Sequence, residues 1–162
     1  MERAEDGGLE ARVGDERLLL GDEALAARPA LRAYEGREVI LGIRPEDLED
    51  AELADGGADE ERVLAGEVAL REALGSEIVV HFAIDAKPAS GEEVREIGEA
   101  TGGHEATGQV GDRARIVGRF GPRSRVREGE TVRAVVDTSA LHFFDRESKR
   151  GIYDQSEIKE GS

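Results

Sequence analysis

Cysteine is absent from this 162-residue chain, so neither a disulfide nor a thiolate metal site can hold it together, which fits a reducing compartment. Tryptophan is absent too, and aromatic residues make up only 4% of the chain, too few to build a stacking surface for single-stranded nucleic acid. No apolar run approaches the roughly 20 residues needed to span a bilayer. The amino terminus, Met1 to Gly8, is charged and lacks the apolar centre of a signal segment. Lysine is nearly missing: Lys87, Lys149 and Lys159 follow Ala86, Ser148 and Ile158, so none follows a glycine. The loop that cradles nucleotide phosphates needs Gly-Lys-Ser or Gly-Lys-Thr at a helix start, and this sequence does not contain it.

Acid is what the chain has in excess. Its net charge of −15 repels nucleic acid and anionic lipid at long range, so neither is an expected partner. Abundant Asp and Glu beside Arg fit a salt-adapted or heat-adapted source. A chain of this length can bury a core without staples, as one domain over residues 1–154 or as two small fused lobes. Residues 155–162 have little to pack and read as a disordered tail, with Gly161-Ser162 a remnant of cloning.

Strand patterning recurs along the chain. Leu9 to Val13 and Arg17 to Leu20, around Gly14-Asp15-Glu16, predict a hairpin at a sheet edge. Asp22 to Tyr34 is Ala-rich and broken at Pro29, which predicts one or two helical turns anchored by Leu25, Leu31 and Tyr34. Gly36 then releases the chain into a strand over Arg37 to Ile43, whose run from Val39 reads as buried until Pro45 stops it. Glu49 to Glu61 carries seven acids around Gly56-Gly57 and reads as a solvated loop; its acids do not fall at calcium-loop positions.

Arg62 to Leu74 alternates Val63, Leu64, Val68, Leu70 and Leu74 with polar or small residues, interrupted near Gly66, as a long strand with a bulge or bend. Gly75-Ser76 makes a two-residue turn, and Ile78, Val79, Val80, Phe82 and Ile84 return. Pro88 to Gly108 reads as a long flexible insertion, with Val94 and Ile97 docking a brief helical turn. Gln109 to Phe120 and Thr131 to Val136 resume the sheet, Asp137 to Ala140 turns, and Leu141 to Phe144 closes it before a final turn towards Ile152 and Tyr153. The expected fold is all-β, an OB-like barrel or sandwich with short helical turns.

Three short motifs carry a resemblance. Arg44-Pro45-Glu46 after an aliphatic strand, Leu74-Gly75-Ser76-Glu77 about thirty residues on, and Leu141-His142-Phe143-Phe144-Asp145 near the end resemble the carboxy-terminal domain of maltose- and trehalose-type sugar-importer ABC ATPases, called transport-associated OB. The resemblance runs from about Leu9 to Tyr153. It implies a regulatory domain, not itself catalytic, of a cytoplasmic subunit held peripherally at the inner face of the cell membrane by permease subunits. ATP and Mg would belong to the nucleotide-binding domain of the parent, and this chain would need no cofactor. In that family such domains lie distal to the membrane and meet across a two-fold axis, which implies a homodimer; some relatives also receive a cytosolic regulatory protein. The residues expected to shape the fold and subunit contact are Arg44, Pro45, Glu46, Gly75, Ser76, Glu77, Phe143, Phe144 and Asp145.

Other chemistry finds little support. His81, His104 and His142 are too scattered in sequence for a metal cluster. Ser76, Ser90, Ser124 and Ser139 sit in apparent turns without the Gly-x-Ser-x-Gly elbow that exposes a nucleophile. The rival class is a sensor of an oxyanion or sugar metabolite, as related barrels in oxyanion importers hold molybdate between subunits; Ser76 and Thr138-Ser139 would be its donors. One locally basic run, Arg113, Arg115, Arg119, Arg123, Arg125, Arg127 and Arg133, reads either as a solvated face or as a docking strip for an acidic patch such as Glu49 to Glu61 of a symmetric mate.

Overall fold

The computed structural model describes residues 1–90, 92, 93, 95, 109, 110 and 112–152. The expected Val94 and Ile97 helical turn, His104, Tyr153, the tail and most of the 88–108 insertion lie outside the described residues.

The body is built from strands, as the alternation predicts, with a curled half-barrel sheet of OB-like form. β1 (Glu2–Arg3), β2 (Leu9–Val13) and β3 (Glu16–Leu20) form a small antiparallel sheet in that order. Val13 faces Glu16, so the hairpin loop is Gly14-Asp15 alone. Gly14 takes φ +61°, and a Cβ there would lie 1.7 Å from the Asp85 carbonyl oxygen, so this turn demands glycine twice over. β1 was not legible as a strand. Its two residues are polar, yet Met1 beside them is buried and its amino group donates to the Arg37 carbonyl oxygen at 2.9 Å.

α1 (Asp22–Ala27) and a 3-10 turn (Pro29–Tyr34) follow, and all three expected anchors are buried: Leu25, Leu31 and Tyr34. β4 (Val39–Gly42) is shorter than Arg37 to Ile43 and half-buried, contrary to the expected buried strand. Among the described residues it pairs only with β11 (His142–Asp145), on one edge. For the same reason β11 does not close the main sheet.

The main sheet has six strands: β5 (Leu48–Asp50), β6 (Val63–Ala73), β7 (Ile78–Ile84), β8 (Gln109–Val110), β9 (Arg113–Phe120) and β10 (Thr131–Val136), in the order β5-β10-β6-β7-β9-β8. β5 corrects the reading of Glu49 to Glu61 as wholly solvated. Asp50 is buried, and the ladder with β10 claims the loop's first two acids. Gln109 to Phe120 is likewise two strands, not one. The bulge of β6 falls between Val68 and Leu70, past Gly66, and turns Leu70 to the outer face, where it is 39% exposed; Leu74 is 59% exposed. Both were expected among the apolar positions.

One core cluster runs through the small sheet, α1 and the barrel, with Leu18, Leu31, Leu64, Phe82, Phe120 and Phe143 almost wholly buried. Each such side chain contributes roughly 1.5 to 3 kcal/mol by leaving water.

Candidate functional site

The Arg44-Pro45-Glu46 corner forms as the proline dictates. Arg44 is extended at φ −82°, ψ 145°, and Pro45–Asp47 is a single 3-10 turn. Arg44 and Glu46 are exposed, Pro45 half-buried, and the turn lies against β9. The Asp47 carbonyl oxygen accepts the Asp137 N–H at 2.9 Å, which ties the corner to the start of the 3-10 turn Thr138–Ala140. Burial raises the Asp47 carboxyl above its usual range, helped by Glu46 and Asp137 and opposed by Arg44. Half-buried His142, on β11, is pushed down by burial and by the charges of Arg44 and Arg28. The first and third motifs therefore meet at Arg44 and His142.

The hairpin motif stands apart. Leu74 N–H donates to the Glu77 carbonyl oxygen at 2.9 Å, and Gly75 takes φ +88°, closing the two-residue turn read from the sequence. Ser76 is exposed and Glu77 half-buried, facing Arg119 at 4.0 Å.

Phe143 and Phe144 are buried, and Asp145 is fastened within the chain. Tyr34 OH donates to Asp145 Oδ2 at 2.7 Å, while the N–H groups of Glu147 and Ser148 donate to Oδ1 at 2.9 and 2.8 Å. Burial works against the Asp145 charge, but these donors outweigh it and hold the carboxyl below its usual range. The Tyr34 hydroxyl is pushed up to about 12 by burial and by the bond to Asp145. Arg37 stacks over the Tyr34 ring at 4.5 Å and lies 3.7 Å from Asp145.

Two further clusters were not legible in advance. Ser124 Oγ donates to Asp50 Oδ2 at 2.6 Å, both residues being buried, and this pins the loop before β10. Beside it Arg71, Arg125 and Arg127 line an open groove with Val126 and Glu128, and no ion pair engages these three arginines among the described residues. Elsewhere Ser90 and Glu93 cap each other, the Ser90 N–H donating at 2.8 Å and the Glu93 N–H donating to Ser90 Oγ at 3.1 Å. The Ser90 N–H, with help from Lys149, holds Glu93 at about 2 against some desolvation. Arg146 and Lys149 flank it at 3.5 and 3.4 Å. Spacing alone could have found the capping box, since Ser90 and Glu93 stand in Ser-x-x-Glu order.

The basic run divides. Arg113, Arg115 and Arg119 share the outer face of β9, and Arg133 is paired with Glu60 of the same chain. The Arg115 guanidinium donates to His81 Nδ1, which leaves Nε2 facing Glu72 Oε2 at 3.3 Å. Among the described residues no group of His, Asp and Glu could hold a metal ion, and no helix is long and apolar enough to cross a membrane.

Comparison with known proteins gives two consecutive domain matches. Residues 2–48 match the MalK OB fold domain and residues 41–94 match the TOBE domain, so the Arg44-Pro45-Glu46 corner falls in both and the Gly75-Ser76-Glu77 turn in the second. The chain is 36% identical over 120 residues to the trehalose/maltose import ATP-binding protein MalK of Thermococcus litoralis, covering 74% of this chain and 25% of that protein. It is 32% identical over 148 residues to the sulfoquinovosyl glycerol transport ATP-binding protein SmoE of Agrobacterium fabrum, covering 88% and 32%. With the oligosaccharides import ATP-binding protein MsmX of Bacillus subtilis it shares 26% identity over 118 residues, covering 73% and 25%. The chain thus spans a quarter to a third of the length of these curated relatives.

Proposed function

The chain belongs to the transport-associated OB domains of the MalK type, and from that membership we propose that it is the accessory domain of a carbohydrate ABC importer's ATP-binding subunit, holding two copies of that subunit together without chemistry of its own. The observation that carries this is the pair of overlapping matches over 2–94 in a sequence that contains no nucleotide-cradling loop. Its neighbours would be a second copy at the two-fold, the permease subunits of the importer, and in regulated systems a cytosolic protein. Such a subunit works at the cytoplasmic face of the membrane, with ATP and Mg handled by its nucleotide-binding domain.

The physical role is one of effective concentration. A contact that persists while the nucleotide sites separate makes their reclosure an intramolecular event, equivalent to roughly millimolar partner. A domain in this role needs a well-packed body and a self-complementary surface, and needs no converging reactive groups. The buried Phe143 and Phe144 and the locked Tyr34–Asp145 pair supply that rigidity.

Fused to a monomeric carrier protein, the chain should give twice the mass of a single fusion in light scattering, and the free chain should release no phosphate from MgATP. A carrier that stays monomeric, or a chain that turns over ATP, contradicts the proposal. A second reading, sensing of a small anion, is supported by the Arg71, Arg125 and Arg127 groove, whose guanidinium groups suit phosphate or carboxylate oxygens. A saturable rise in melting temperature with pyrophosphate, lost in R71Q/R125Q/R127Q, would favour it; silence would leave the scaffold alone.

A further inference from the structure

The outer face of the β6-β7-β9 ribbon carries a pattern that is ordered across the strands. Val68 on β6, Phe82 on β7 and Ile116 on β9 form one cross-strand row of the core face, so the rows on either side of them point outward. Three rows of the face opposite the core can be read from the register: Glu67, Ala83, Arg115, with Ala83 itself buried; then Leu70, His81, Val117; then Glu72, Val79, Arg119. Every charged row is acidic on β6, small or apolar on β7, and arginine on β9. The middle row is Leu, His, Val. Leu70 and Leu74, the large apolar side chains left exposed among the described residues, both belong to the β6 side of this face.

We propose that this face is where a second copy of the chain docks, with the two-fold axis in the interface plane and running along β7. The inference rests on the self-association proposed above and names the surface that performs it. Rotation by a half-turn about that axis exchanges the β6 and β9 sides while leaving each row at its own level. Glu67 of one copy is thereby set over Arg115 of the other, Glu72 over Arg119, and Leu70 over Val117. An in-plane axis across the strands would instead stack glutamates on glutamates and arginines on arginines. The charge pattern therefore selects one axis and rejects the other.

Of the pairs now made on this face, Glu72 already faces His81 Nε2 at 3.3 Å and Arg115 holds His81 Nδ1, while those of Arg113 and Arg119 are slack enough to be exchanged. Arg113 stands 4.0 Å from Glu67 and 4.0 Å from Asp85, and Arg119 stands 4.0 Å from Glu77. Glu67, Glu72 and Arg119 keep more than half of their side-chain surface in water. Their pairing across a dimer would cost little desolvation that is not already shared. The face is small: three strands about 4.8 Å apart and eight residues long at about 3.3 Å give a plan of roughly 400 Å². That is about half of the roughly 800 Å² per partner of a standard-size interface, so the free chain should associate weakly and reversibly.

Charge reversal with reciprocal rescue tests it. In E72R the Glu72–Arg119 contact becomes two arginines, and in R119E it becomes two carboxylates; Arg115 and its partner Glu67 are left in place because Arg115 holds His81. Each variant alone should weaken self-association of the 162-residue chain at least tenfold in sedimentation equilibrium, and an equimolar mixture should restore a dimer that is predominantly mixed. Circular dichroism spectra matching the parent establish folding, and Leu70→Ser, which changes no charge, should weaken the dimer as well. If the parent dimerises while both reversals dimerise equally well, this face is wrong and the self-association stands. If both reversals are monomeric and their mixture is too, the complementary pairing is wrong. A parent chain that is monomeric throughout overturns the face and the self-association together.

Discussion

Replacing Ser124 by Ala should destabilise the domain far more than its position in a surface loop implies. Ser124 is 5% exposed and Asp50 3% exposed, and the hydroxyl donates to Asp50 Oδ2 at 2.6 Å. The other Asp50 oxygen accepts the Glu52 N–H at 3.0 Å, so each carboxyl oxygen has one protein donor in these contacts. Removing the hydroxyl loses a bond to an accepting carboxylate, a net of about 1.5 to 3 kcal/mol, and strands Oδ2 where water reaches it poorly. It also removes the weak 3.5 Å contact to the Val126 N–H, loosening the loop between its anchors at Ser124 and Gly129, whose N–H donates to Val68 O at 2.9 Å. With a loss of about 2 kcal/mol, and roughly 2 to 4 °C per kcal/mol for a chain of this size, the melting temperature should fall by about 4 to 8 °C. Ser139→Ala is the control. Its hydroxyl donates to the exposed Asp137 at 2.5 Å, where water can take its place, so a change within about 0.5 kcal/mol is expected. Urea unfolding of both variants measures the difference, and amide exchange at Val126 should quicken in S124A alone. A Ser124→Ala protein as stable as the parent would refute the claim that this buried pair fixes the loop.

Acid should find His142 early. Its imidazole is depressed below 6.5 in the folded state, so its contribution to stability is complete above 6.5 and is lost as pH falls towards the lowered folded value; His142→Gln should flatten that part of a stability-versus-pH curve. At the alkaline end the sign is opposite. Tyr34 is raised from 10.0 to about 12, so its stabilising effect holds below pH 10 and fades as pH climbs to about 12, with the tyrosinate absorbance of Tyr34 appearing only near the upper value. Gly14→Ala should cost about 2 kcal/mol or more by thermal unfolding, because a Cβ 1.7 Å from the Asp85 carbonyl oxygen forces the hairpin away from the end of β7.

Where one residue determines local geometry, the fold could be read directly. Pro45 ended its strand, Pro29 split the helical segment, and Gly75 at φ +88° closed the hairpin at the expected place. Alternation served equally well on β7, whose Ile78, Val80, Phe82 and Ile84 are buried. It failed on β6, because a bulge adds one residue and inverts the faces beyond it, and nothing in Val68-Ala69-Leu70 marks which residue is extra. β5 was missed because Leu-Glu-Asp looks like loop when a buried serine 74 residues away is not visible as the partner of its last acid. The same distance hid the joining of Tyr34 to Asp145, 111 residues apart. For the candidate site, the motif residues were legible as positions, while the outward rows of β6, β7 and β9 required the register, which a sequence does not carry.

Sedimentation equilibrium of the unmodified chain across a concentration series from about 1 to 200 μM is the most direct measurement of the central claim, since a contact this small should associate weakly. A reversible monomer–dimer equilibrium within the series, weakened by added salt, is the predicted result. A single species of monomer mass at every concentration would contradict it.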